Sequence, residues 1–237
     1  MSDSEAVARR LGTAPTGASP AFPAEFRTPR AAGVAGIIFA LTLTVVVALW
    51  RAAIPGGDGD SARWINESSR RHALSVALQL VPYAGIAFLW FIGAIRSRLG
   101  AREDKLFATA FLGSGLLFVG MLFTTAALMG GLLATYHGPR TVSADNVRLV
   151  GAVSTALLTT FSIRMAAVFT MVVTNLGRRT GILPRWLVAV GFVTAAVLLL
   201  APPRTVWATM LFPTWVLLVS VVIIVASGRT TVDEPTH

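Results

Sequence analysis

The chain has 237 residues, of which 54% are hydrophobic and 13% charged, and its formal net charge is +9. The charged fraction is about half that of a soluble domain, and the mean hydropathy of +0.71 leaves more apolar surface than a water-soluble core could hide. There is no cysteine, which excludes disulfides, thiolate metal sites and a cysteine nucleophile. The basic residues lie in short loops between apolar runs and not on one soluble face, so the charge fits membrane topology and excludes nucleic acid as the partner.

Residues 1 to 30 are polar and Pro-rich, contain no signal-peptide core, and are expected to form a disordered cytoplasmic tail. The first apolar run, Gly33 to Trp50, has 18 residues between Arg30 and Arg51, at the short end of what crosses the ~30 Å hydrocarbon layer. A turn follows at Pro55-Gly56-Gly57-Asp58-Gly59-Asp60. Its aspartates lack the bidentate glutamate that a calcium loop requires, because the corresponding positions are Ser69 and Arg71.

The second span is expected at 73–95. Within it Ser75, Gln79 and Tyr83 recur every four residues and predict a polar face turned inward, beside the carbonyl of Leu78 that Pro82 leaves without a helical donor. After the basic loop of Arg96, Arg98, Arg102 and Lys105 comes a third span at 106–136, whose Gly120-x-x-x-Thr124 and Ala126-x-x-x-Gly130 pairs predict close helix contacts. Gly113-Ser114-Gly115 is read as packing and not as a nucleophile, since no His, Asp or Glu within a span could serve as its base.

The fourth span, 149–174, carries several Ser and Thr residues together with Arg164 near its middle. A charge at the bilayer centre costs about 3 kcal/mol or more and marks a functional candidate. The fifth and sixth spans are expected at 186–201, with the contact pair Gly191-x-x-x-Ala195, and at 206–226, with a kink at Pro213; a short tail, 228–237, follows. The fold class is therefore all-α, a multi-pass transmembrane helical bundle of about six spans. Twelve Lys and Arg residues fall on the side shared by both tails and seven on the other, which places both termini in the cytoplasm.

The stretches Arg164-Met165-Ala166-Ala167-Val168-Phe169-Thr170, Thr180-Gly181-Ile182-Leu183-Pro184-Arg185-Trp186-Leu187 and Phe212-Pro213-Thr214-Trp215-Val216 resemble a group of actinobacterial conserved integral membrane proteins with no assigned activity. The resemblance implies a six-helix bundle in the bacterial inner membrane and brings no enzymatic role.

Two functional readings follow from the residues. In the first, Arg164 binds an anionic lipid or small anion, and its outward-leaning side chain reaches across to Tyr83 and Gln79 of the second span, with Thr160 one turn earlier on its own helix. In the second, the chain is a scaffold or accessory subunit in which Arg164 ties helices together. An intramembrane enzyme is disfavoured, because the spans hold no constellation of titratable groups. His72, His137 and His237 sit at helix ends or in the tail, so no haem and no other cofactor is expected.

Overall fold

The computed structural model describes residues 29–54, 63–99, 105–136, 143–202 and 208–229. The expected N-tail up to residue 28, the turn at Pro55 to Asp60 and the tail from residue 230 lie outside them. Every regular element among the described residues is helical: α1 Pro29–Ala53, a 3-10 turn Arg63–Asn66, α2 Ser68–Leu99, α3 Lys105–Tyr136, α4 Ala144–Thr180, α5 Arg185–Leu200 and α6 Ala208–Arg229.

Five of these helices are long and apolar enough to cross a membrane, and α5, with 16 residues, is shorter. It rises ~24 Å against a ~30 Å hydrocarbon layer. The longer helices extend past the expected spans because their flanking turns remain helical. α4, at 37 residues, begins five residues before the expected start, where Ser143 accepts a hydrogen bond from the Asn146 amide and Asp145 sits in the first turn. It ends at Gly181, whose φ of +70° is the left-handed cap that glycine adopts without strain. Arg178 and Arg179 in the last turn complement the helix dipole.

The helices pack in chain order as a closed ring, with α6 returning to lie against α1. Water cannot drive this association inside a bilayer, so it depends on close packing and small residues. Gly33 and Gly36 let α6 approach α1 at Ile224 and Ser220. Gly191 of α5 lies beneath Thr174 of α4 and Trp215 of α6, as the expected Gly191-x-x-x-Ala195 contact requires. The Gly120-x-x-x-Thr124 expectation is not met. A side chain at Gly120 would meet no neighbour within 4 Å, and Thr124 is exposed, its hydroxyl donating to the Gly120 carbonyl of its own helix at 2.8 Å.

Phenylalanine fills the middle of the ring. Phe39, Phe88, Phe91, Phe111, Phe118, Phe169 and Phe212, drawn from five helices, form one buried cluster with centroid separations such as 4.4 Å for Phe39–Phe88 and 5.0 Å for Phe88–Phe169 and Phe118–Phe212. Tilted and edge-to-face rings interlock at low energy, so the bundle axis is a packed aromatic core.

Cation–ring contacts close both ends. At one end the Arg71 guanidinium lies 4.9 Å from the Tyr136 ring centre and donates to the Ile65 carbonyl at 2.7 Å; at the other, Arg179 lies 4.8 Å over Phe107.

Candidate functional site

The site is built on α4, which is not a uniform α-helix. Leu157–Ser162 forms a π turn between two α-helical segments. Such a turn accommodates an extra residue, offsets the i→i−4 ladder and displaces carbonyls from their usual donors. Arg164 lies two residues beyond it. Its Nη1 donates to the Thr160 carbonyl at 2.7 Å, so the guanidinium satisfies an acceptor inside the irregular turn.

Arg164 lies ~24 Å along the helix from Arg148 and ~21 Å from Arg178, which is mid-span for this helix. It is half-buried, on a flank of α4 shared with the half-buried Thr160, Val168 and Asn175 and the exposed Met171. A guanidinium carries five N–H donors, and the bond to Thr160 uses one. The acidic residues among the described part of the chain are Glu67 and Asp145, which pair with Arg70 and Arg148 at helix ends, so no carboxylate of the described residues neutralises Arg164. Its remaining donors make no hydrogen bond among the described residues.

The opposite face of α4 carries buried hydroxyls. Ser154, Ser162, Thr170 and Thr174 sit at multiples of four residues on the inner face, are buried, and have hydroxyl oxygens without a hydrogen-bond partner. Behind the π turn, Leu158, Ser162, Ile163 and Ala166, with Phe118 and Phe212, line a cavity of about 20 Å³, room for about one water. Arg164 and this cavity therefore flank the same irregular turn from opposite sides.

The structure brings Thr160 and Arg164 together and leaves Tyr83 and Gln79 apart from them. Tyr83 is 66% exposed and Gln79 is exposed too, so the predicted reach from Arg164 to α2 does not form. The expected inward polar face of α2 is corrected for the same reason. Phe88, Phe91, Leu74, Ala77 and Ala84 occupy the inward face, where the rings and small side chains pack more closely than an amide or phenol would. α2 meets α4 through Phe88 and Phe169. Sequence reasoning also missed the π turn. The available signal was the polar run Thr159, Thr160 and Ser162 ahead of an unpaired arginine.

A ring of long apolar helices around an aromatic core is the architecture of an integral membrane protein. No family model, curated protein or solved structure matches the chain.

Proposed function

We propose that this protein is a non-enzymatic, six-span protein of the bacterial cytoplasmic membrane that holds an anionic group at Arg164, reached sideways from the bilayer. The supporting observation is the state of Arg164: mid-span, half-buried, held by one hydrogen bond to its own helix and paired with no acid among the described residues. A planar guanidinium fork suits a phosphate or carboxylate oxyanion, and a charge at this depth draws headgroups or water inward. The packed phenylalanines along the axis favour lateral binding over passage through the bundle. The resemblance to actinobacterial membrane proteins belongs to this same reading.

A second reading rests on the same observation. A carboxylate on the span of another protein could pair with Arg164, which would make the chain an accessory subunit.

Native mass spectrometry of the detergent-purified protein and of its Arg164→Met and Arg164→Lys variants tests both. The expected result is a retained anionic lipid or metabolite that disappears in Arg164→Met and is partly kept in Arg164→Lys, which has the charge without the fork. Unchanged ligand content in the Met variant would overturn the binding role. A co-purified protein lost from the Met variant, with no small molecule, would establish the second reading.

The proposed topology places both termini in the cytoplasm, and it depends on whether the short α5 crosses. Reporters fused after Lys105 and after Arg229 are expected to read cytoplasmic, and one after Asp58 exported. If the Arg229 fusion reads exported while the other two behave as expected, α5 does not cross.

A further inference from the structure

The outward face of α2 carries an organised surface that the site at Arg164 does not use. Gln79, Tyr83, Ile86, Trp90 and Gly93 are all exposed and are separated by four, three, four and three residues. This is the heptad spacing with which a second helix nests along a first at a shallow crossing angle. Tyr83 and Trp90 are the large members of the seam, 66% and 67% exposed. A side chain added at Gly93 would meet nothing within 4 Å, so a neighbour can come close there.

The polar groups of this seam set it apart from the rest of the outer surface. Thr124 and Thr214 are also exposed, and each satisfies its hydroxyl on the carbonyl four residues earlier, at 2.8 and 2.7 Å. Gln79 and Tyr83 make no hydrogen bond among the described residues, and Pro82 leaves the Leu78 carbonyl without its helical donor. Tyr83 is ~18 Å along the helix from Arg71 and ~20 Å from Arg96, so the unsatisfied groups sit at mid-depth. Acyl chains offer them no hydrogen bond, and an unpaired amide or hydroxyl in hydrocarbon is costly.

We propose that this seam is the interface of a homodimer in which α2 packs against α2 of a second copy. A two-fold axis along the membrane normal brings residues of equal depth face to face. It sets Gln79 against Gln79 and Tyr83 against Tyr83. Both side chains donate and accept, so each is complementary to itself, and the partner's groups arrive at the depth where the unsatisfied ones lie. The exposed Gly93 lets the two helices approach at one end, and the Trp90 rings cover the contact.

The test uses the absence of native cysteine. Ile86→Cys and, separately, Trp90→Cys are oxidised in native membranes, with Val193→Cys on the exposed face of α5 as the control. The expected result is a covalent species of twice the monomer mass from the α2 positions and little from the control. Combining Ile86→Cys with Gln79→Leu should lower the dimer yield about three- to tenfold while leaving thermal stability unchanged, since leucine is at home in lipid. Failure of both α2 positions to cross-link, equal yield from Val193→Cys, or cross-linking only to a different protein would overturn the dimer. An unchanged yield with Gln79→Leu would overturn the role given to Gln79.

Discussion

Gly36→Ala is expected to destabilise the bundle by about 1–3 kcal/mol, the usual cost of overpacking a closed core. The added Cβ would overlap Ser220 Oγ and come within 2.9 Å of the Phe91 ring. Neither neighbour yields easily. Phe91 is fully buried in the aromatic core, and the Ser220 hydroxyl is held on the Val216 carbonyl at 2.7 Å. The check is a double-mutant cycle followed by thermal unfolding in lipid nanodiscs. Ser220→Ala alone should cost little, and the double variant should be more stable than Gly36→Ala because half of the overlap is gone. Gly113→Ala is the control. Its added methyl meets nothing within 4 Å, so it should be neutral or slightly stabilising. Equal losses at Gly36 and Gly113 would show that the α1–α6 contact is looser than described.

The second large effect concerns the π turn. Deleting Phe161, an exposed residue within Leu157–Ser162, should convert the turn to ordinary α-helix and keep both flanking segments in register, because the turn already holds one residue more than an α-helix needs. Deleting the equally outward Met171 should be ruinous. There the helix has no spare residue, and everything beyond it rotates by about 100° relative to the preceding part. Val172, Val173, Thr174 and Gly177 would leave the core they now occupy. Folding yield in membranes and thermal stability of the two deletions provide the comparison. The Phe161 deletion should also break the bond from Arg164 to the Thr160 carbonyl, so loss of a bound anion from that variant alone would tie the irregular turn to Arg164. Equal damage from both deletions would mean that the turn is not a one-residue insertion.

These expectations separate what the sequence makes legible from what it does not. Apolar run length dictates the helices, since a backbone in hydrocarbon must bond within its own segment; boundaries moved outward where flanking turns stayed helical, and α5 stops one residue early, at Leu200. The identity and mid-span position of Arg164 were equally plain, because an unpaired charge inside an apolar run stands out against its neighbours. Facing was not legible. Gln79 and Tyr83 have the periodicity of a single face, but periodicity does not say which way that face points. What decides it is the competing face of Phe88, Phe91, Ala77 and Ala84, whose packing with Phe39, Phe118 and Phe169 is long-range. The π turn was hidden for a related reason. Leu157–Ser162 contains no proline or glycine to announce a break, and the carbonyl it offers to Arg164 is a property of backbone geometry.

The contact between α1 and α6 has a consequence for biogenesis. A nascent chain delivers its spans to the membrane in order, and α1 and α2 can pair as soon as both are inserted. The face of α1 bearing Gly33 and Gly36 must then wait for Ile224 and Ser220, which lie on the last of the six helices. Until then Phe39 and Phe88 lack Phe212, and the half-built bundle presents a cleft lined with small residues and aromatic rings to the lipid. Any insertion factor or chaperone that shelters this protein during synthesis would have to cover that cleft, and it would be displaced by α6 when that helix inserts.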